Sequence, residues 1–166
     1  MTAPNTRNIA LLCAFAAACA LGIALASEYW GGLVPCALCL WERWPYRVAI
    51  VLGLLAAVLP ARVARLVLLL LLLTLLVAAA FAFVHVGVEL HYWPSPLPEC
   101  AAPTFSGGSI ADRLAHMPLA PAKPCDDPTF LIPGLPLSMA AMNLLYALAF
   151  ALLLAIGLCF GRRSKP

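Results

Sequence analysis

Residues 66–88 read LVLLLLLLTLLVAAAFAFVHVGV and carry no charged side chain. A helix needs about 20 mostly apolar residues to cross a lipid bilayer. Leucine and alanine favour helix, and the stretch lacks the two-residue alternation of a barrel strand. The stretch therefore predicts a transmembrane helix.

The composition of the whole chain agrees with a membrane protein. Of its 166 residues, 64% are hydrophobic and 10% are charged, and the mean hydropathy is +1.00. A soluble domain is about 45–50% apolar and about 25% charged. This composition excludes an intrinsically disordered chain. The net charge of +3, without a basic stripe, argues against a nucleic-acid-binding protein.

Three further segments are apolar enough to suggest spans, although the second has a short apolar part that starts among polar residues. We expect an all-α polytopic membrane protein, a four-transmembrane-helix bundle that forms one domain over residues 1–166. Its helices lie at about 9–26, 40–59, 66–88 and 139–160, and its outer loops at about 27–39 and 89–138.

The basic residues predict the orientation of these helices, because cytoplasmic loops are enriched in Lys and Arg. If all four helices span, one side holds six basic residues and no acidic one: Arg7, Arg62, Arg65, Arg162, Arg163 and Lys165. Both termini are therefore expected in the cytoplasm. A cleaved signal peptide ending at Ala24-Leu25-Ala26 is the alternative for the first helix.

The second outer loop holds ten of the fifteen prolines, which favour an extended path. Within it, Ser109 and Asp112 resemble a capping box, which predicts a short helix from Ile110 to Met117.

Four of the seven cysteines fall in the outer loops. Cys36 and Cys39 form a C-x-x-C in the first loop, and Cys100 and Cys125 lie in the second. Structural disulfides, a zinc site and thiol–disulfide exchange are the three interpretations. A C-x-x-C bridge closes too small a loop to stabilise much, and the second pair lacks zinc-knuckle spacing. The spacing of the four cysteines therefore favours thiol–disulfide exchange over the other two interpretations.

The residues around each pair add to this interpretation. A helix begins just after Cys39, and a helix N-terminus favours a thiolate. Arg43 lies one turn after Cys39, where it could stabilise an anion or, paired with Glu42, anchor the helix at the membrane surface. Cys100 and Cys125 are expected to be exposed and open to a soluble partner.

Three motifs together resemble the DsbB family of membrane thiol oxidases. They are Cys36-Ala37-Leu38-Cys39-Leu40-Trp41-Glu42-Arg43 at the head of the second helix, Pro94-Ser95-Pro96 before Cys100, and Cys125 in the same loop. Members of the family pass electrons from a periplasmic thioredoxin-fold dithiol protein, DsbA, to a membrane quinone. The resemblance implies a multi-pass protein of the bacterial inner membrane.

The resemblance also implies a role for each cysteine. Cys100 and Cys125 would form the disulfide that oxidises a DsbA-type partner, with Cys100 attacked by the partner. Cys125 would then pair with Cys36. Cys39 would lie next to the quinone, either ubiquinone or menaquinone, and Arg43 would support it.

Two histidines near the outer end of the third helix could match a family histidine. We predict His91 as the quinone-supporting residue and rank His85 below it, with an interhelical hydrogen bond as the alternative for each. Asn143 could also bond to another helix. No metal is predicted.

Other functions compete with a DsbB-type oxidase. A vitamin K epoxide reductase-like oxidase also combines a C-x-x-C with loop cysteines, but its motif comes late in the bundle. A non-enzymatic membrane protein would use the four cysteines in structural disulfides or a zinc site. A transporter is disfavoured, because the sequence shows no polar constellation at membrane depth.

Overall fold

Four α-helices form most of the protein. The structure is a computed structural model that describes residues 6–100, 109, 123–132 and 134–163. The helices are α1 (Thr6–Tyr29), α2 (Ala37–Val58), α3 (Ala61–Glu89) and α4 (Met139–Arg163). Within the described ranges there is one 3₁₀ turn, Pro98–Cys100, and no strand. The expected all-α class is confirmed, and the short helix expected at 110–117 lies outside the described residues.

Each helix continues beyond its apolar segment into polar residues. Helix α2 begins at Ala37, so Cys36 is its N-cap and Cys39 belongs to its first turn. Helix α3 begins at Ala61, and Arg62 lies in its first turn rather than in a link. The connection between α2 and α3 is only residues 59–60. Hydropathy marks the part of a helix that faces lipid, whereas capping residues set where the helix ends.

Contacts at the two ends of the bundle establish an up-down-up-down arrangement. At one end, Glu28 of α1 pairs with Arg43 of α2. At the same end, Ser138 at the start of α4 donates a hydrogen bond to Glu89 at the end of α3. At the opposite end, Arg65 donates to the backbone carbonyl of residue 158. Helix α2 thus packs between α1 and α3, and α3 packs on α4, whereas α1 and α4 contact each other little.

Three of the four helices are long and apolar enough to cross a membrane: α1, α3 and residues 139–160 of α4. Large apolar side chains on these helices face outward, as Leu12, Leu66 and Leu153 do with 65%, 63% and 68% exposure. Such an outer surface suits lipid rather than water. The expected count of four spans is not confirmed, because Glu42, Arg43 and Arg47 lie in the first half of α2.

Small residues bring α1 and α2 into close contact. The buried face of α1 includes Ala10, Ala14 and Ala17. A Cβ added at Gly53 of α2 would lie 2.9 Å from the Ala14 backbone nitrogen and 3.0 Å from the Ala10 carbonyl oxygen. Small residues at helix interfaces are typical of membrane bundles, where van der Waals packing drives association.

Gly53→Ala is expected to destabilise the bundle by about 1–3 kcal/mol, because the added methyl group meets backbone that cannot move aside cheaply. Gly22→Ala on α1 is the matched control, since a Cβ there has no neighbour within 4 Å. The control should be neutral or stabilising by up to about 1 kcal/mol, because alanine favours helix over glycine. Thermal unfolding in detergent measures both, and equal effects of the two substitutions would contradict the packing described here.

Candidate active site

The C-x-x-C forms the N-terminus of α2. The Cys36 backbone is extended, and its sulfur accepts a hydrogen bond of 3.2 Å from the backbone N–H of Cys39. Cys36 therefore caps the helix in the way that serine or aspartate usually does. The two sulfur atoms are 2.8 Å apart, and both residues are free cysteines. Cys36 is buried and Cys39 is half-buried.

The pKa of the Cys36 thiol is lowered, and the sequence predicted an environment that favours a thiolate for this pair without saying which cysteine. The hydrogen bond from the Cys39 side chain is the main cause that lowers the pKa of Cys36, and it outweighs burial, which raises it. Backbone N–H groups of Leu38 and Cys39 add to the lowering. The backbone of the first helical turn thus lowers the pKa of Cys36 as expected, but the Cys39 thiol lowers it more.

Cys100 and Cys125 form a disulfide with a Cα–Cα distance of 5.0 Å. The expectation that this pair is exposed is wrong, since Cys100 is 4% and Cys125 is 1% exposed. Both pack in a buried cluster with Cys36, Leu38 and Val88. The fold thus packs the disulfide, whose two cysteines lie 25 positions apart in the sequence, in one cluster with Cys36 of the first loop.

A groove gives access to this disulfide from outside. It has a volume of about 570 Å³, and Cys100, Trp93, Pro94 and Asp126 are among its lining residues. His91 also lines this groove, with its Nδ1 bonded at 3.0 Å to the Glu89 carbonyl oxygen.

A chain of buried polar side chains runs from Cys36 across three helices. The Cys36 sulfur lies 3.5 Å from His85 Nε2, and His85 Nδ1 lies 2.7 Å from Glu42 Oε1. Asn143 donates from Nδ2 to Glu42 Oε2 at 2.7 Å, and Tyr46 donates to Asn143 Oδ1 at 2.6 Å. In the part of the chain described here, no buried side-chain nitrogen or oxygen lacks a partner. The interhelical hydrogen bonds that the sequence suggested for His85 and Asn143 are confirmed. Their common partner Glu42 was not predicted, and the cluster lies at the end of the bundle that holds the cysteines.

Arg43 is held by α1 rather than by its neighbour on α2. Its Nη1 donates to Glu28 Oε2 at 2.5 Å, and its Nη2 donates to the Ala24 carbonyl oxygen at 3.5 Å. The suggested pair with Glu42 is therefore wrong, because Glu42 is engaged by His85 and Asn143.

A second cavity, of about 240 Å³, lies between α1, α2 and α4. Its walls are mostly apolar, and its polar part is formed by Cys39, Glu42, Arg43 and Asn143. Cys39 and Arg43 thus share one cavity, as their four-residue spacing predicts. His91 is not among the residues that line it, so the prediction that His91 supports a ligand there gains no support from its position.

The ligand atoms of Cys36, Cys39 and His85 lie within 4.8 Å of one another, which is close enough for a metal ion. Two thiolates on one tetrahedral zinc are about 3.7 Å apart, so these two sulfur atoms, at 2.8 Å, would have to separate. A zinc site made of all four outer cysteines is not formed, since Cys100 and Cys125 are bonded to each other.

A free dithiol, a disulfide packed against it, and helices apolar enough to cross a lipid bilayer define a membrane protein of thiol–disulfide exchange. Residues 6–157 match the model of one family, described as disulfide bond formation protein DsbB. The chain belongs to the DsbB family, and the resemblance found in the sequence is confirmed. No curated protein matches the chain, and no solved structure matches it either.

Cys39→Ala should raise the pKa of Cys36, because it removes the side-chain hydrogen bond that lowers this pKa most. The pH dependence of Cys36 alkylation, resolved by mass spectrometry, measures the change. Since a raised pKa lowers the thiolate fraction at neutral pH, Cys36 should also react more slowly there. Cys159→Ala, at an exposed cysteine of α4, is the control. An unchanged or lowered Cys36 pKa in Cys39→Ala would refute the assigned cause.

Proposed function

We propose that the protein is a thiol:quinone oxidoreductase. It reoxidises a periplasmic DsbA-type thioredoxin-fold protein and passes the electrons to a membrane quinone, which sustains disulfide bond formation. One observation carries the proposal: the Cys100–Cys125 disulfide packs against Cys36, while Cys39, at the other end of the C-x-x-C, borders an apolar cavity. The dithiol thus lies between a buried disulfide, one cysteine of which lines a groove, and a mostly apolar cavity.

The partner reacts on the side of the groove. A thiolate of the partner attacks the Cys100 sulfur, the Cys100–Cys125 bond breaks, and Cys125 leaves as the thiolate. The second partner thiol then displaces Cys100, so the partner gains a disulfide and the loop pair gains two electrons. The groove beside Cys100 supports this order of attack, because Cys125 is the more buried cysteine of the two.

Exchange between the two pairs of this chain follows. The Cys125 thiolate attacks the Cys36 sulfur of an oxidised C-x-x-C, the Cys36–Cys39 bond breaks, and Cys39 leaves as a thiolate. Cys100 then displaces Cys36 from Cys125, which restores the loop disulfide and leaves the C-x-x-C reduced. The shared buried cluster supports this exchange, because Cys36, Cys100 and Cys125 belong to one packed group.

The cavity fits a quinone head group by size and chemistry. Pockets for small molecules are mostly apolar with a few placed polar groups, and this cavity follows that pattern. When bound, a quinone accepts two electrons and two protons. Arg43 has five N–H donors, and its contacts with Glu28 and Ala24 fix the guanidinium at the cavity wall. There it stabilises the Cys39 thiolate and orients a carbonyl oxygen.

The proposed location is the bacterial inner membrane, with α2 as a fourth span and both termini in the cytoplasm. The two-residue connection between α2 and α3 supports a fourth span, because the two helices must run side by side along their length. The charged residues of α2 lie at the end of the bundle that holds the cysteines. There Arg43 pairs with Glu28 of α1, and Glu42 pairs with His85 of α3.

The rival functions are weaker. In a vitamin K epoxide reductase-like oxidase the C-x-x-C comes late in the bundle, whereas here it opens the second helix. Purely structural disulfides do not account for Cys36 and Cys39, which are free cysteines in contact. A role for His91 in quinone binding stays a prediction, and its position beside Cys100 also suits contact with the partner.

Purified protein mixed with a reduced DsbA-type partner and a soluble ubiquinone analogue should reduce the quinone catalytically. Cys39→Ala should abolish turnover, because the electrons then have no route into the cavity, yet it should still oxidise about one partner per chain. Cys19→Ala, at an exposed cysteine of α1, is the matched control and should turn over normally. The loss of quinone absorbance gives the rate, and normal turnover by Cys39→Ala would refute the proposed route.

Arg43→Ala should weaken quinone reduction by about 10²-fold or more, as expected when a fixed charge at a reacting anion is lost. Arg43→Ala should change the rate of thiol exchange with the partner much less, because Cys100 lines the groove and not the cavity that Arg43 borders. Arg47→Ala is the control, since Arg47 lies on the same helix but stacks on the Trp44 ring at 5.0 Å. Equal losses in both half-reactions of Arg43→Ala would indicate a structural role instead.

A further inference from the structure

We propose that Cys36, His85 and Glu42 form a catalytic triad, in which His85 takes the proton of the Cys36 thiol and Glu42 passes it to the cavity. The inference rests on the proposed function, because it assigns a path to one of the two protons that quinone reduction consumes. It makes His85 a catalytic residue in contact with a reacting sulfur, and Glu42 the proton carrier that borders the cavity.

The hydrogen bonds fix the protonation that a general base needs. Glu42 accepts from Asn143 on Oε2 and lies 2.7 Å from His85 Nδ1 through Oε1. Asn143 donates to the other oxygen of Glu42, and the proposal places the hydrogen of the His85 ring on Nδ1, where Glu42 Oε1 accepts it. The other ring nitrogen, Nε2, is then an acceptor, and it lies 3.5 Å from the Cys36 sulfur. Cysteine, histidine and a carboxylate in this order resemble the arrangement that activates nucleophiles in many enzymes.

The burial of these groups argues for a task beyond packing. His85 is 2% and Glu42 is 7% exposed. Burying an ionisable pair costs free energy of folding, and a pair as buried as this one is by default a candidate functional site. The same helix, α3, packs elsewhere through Leu68, Leu71 and Leu75, all fully buried. Apolar side chains thus suffice to hold α3 in the bundle, so packing alone does not explain the histidine beside the thiol.

The proton balance of the reaction needs such a carrier. Oxidation of the Cys36–Cys39 dithiol to the disulfide releases two electrons and two protons in all. Cys39 borders the cavity, but Cys36 is not among the residues that line it. The Cys36 proton therefore moves to His85 Nε2, and the Nδ1 proton moves to Glu42, which borders the cavity. The S–S bond forms as the electrons leave through Cys39 to the quinone of the proposed function.

The reactivity of Cys36 in quinone-free protein tests the triad without the partner or turnover. The protein is fully reduced, freed of reductant and quinone, and treated with iodoacetamide at neutral pH. Fragment mass spectra then give separate rates for Cys36 and Cys39. His85→Gln keeps a side chain that can form hydrogen bonds but cannot take a proton, so it should slow the alkylation of Cys36 about tenfold or more, given that general bases contribute about 10²–10⁴-fold.

Two further variants separate the triad from a structural role. Glu42→Gln should also slow the alkylation of Cys36, but by a smaller factor than His85→Gln does. Thr74→Val is the matched control, because Thr74 lies three turns before His85 on α3 and its hydroxyl donates to the Leu70 carbonyl oxygen. Cys36 of this control variant should be alkylated at the wild-type rate. Thermal unfolding of all three variants excludes loss of fold as the cause of a slower rate.

Wild-type Cys36 rates in folded His85→Gln would overturn the triad, and so would an equal slowing in Thr74→Val. Failure of the triad is distinguishable from failure of the proposed function. The alkylation test involves no quinone, whereas the proposed function fails only if the wild-type protein does not reduce quinone with its partner.

Discussion

The Glu42 carboxylate is the group on which the geometry of this site depends. It belongs to α2, and it is bonded to His85 of α3 and Asn143 of α4. A buried carboxylate is stable only when its oxygens are hydrogen-bonded, so loss of either partner would leave a charge without compensation. The requirement fixes three helices relative to one another at the end of the bundle that holds the cysteines. The contacts that fix the packing of these three helices therefore also fix the position of the C-x-x-C at the start of α2.

The two cysteine pairs divide the chemistry between two surfaces. Cys100 faces a groove open to a protein, and Cys39 faces a cavity between helices, while Cys36 lies in the buried cluster beside the disulfide. In the proposed reaction, the protein partner and the quinone would therefore not occupy the same space. Arg43 belongs wholly to the second surface, because α1 holds its guanidinium at the cavity wall.

Much of the fold could be predicted from local sequence, and part of the site could not. Apolar runs indicated the helices, and the C-x-x-C with Arg43 indicated a redox site, because both signals lie within a few turns of chain. The contacts of Glu42 join residues 43 and 101 positions apart, and no local pattern encodes them. The choice between His85 and His91 depends on the register of α3 against α2, which hydropathy does not determine. The burial of Cys100 and Cys125 likewise follows from packing of the second loop on α2.

The Cys100–Cys125 bond also has an evolutionary consequence. It ties together two points 25 positions apart and holds both against the start of α2. While the bond is closed, the chain between the two cysteines is a loop whose two ends are fixed at one place. The cost of closing a loop rises only slowly with its length, so a change in the length of this loop need not move either sulfur atom. Under the proposed function, such a loop would be able to diverge together with the surface of a partner while the start of α2 keeps its geometry.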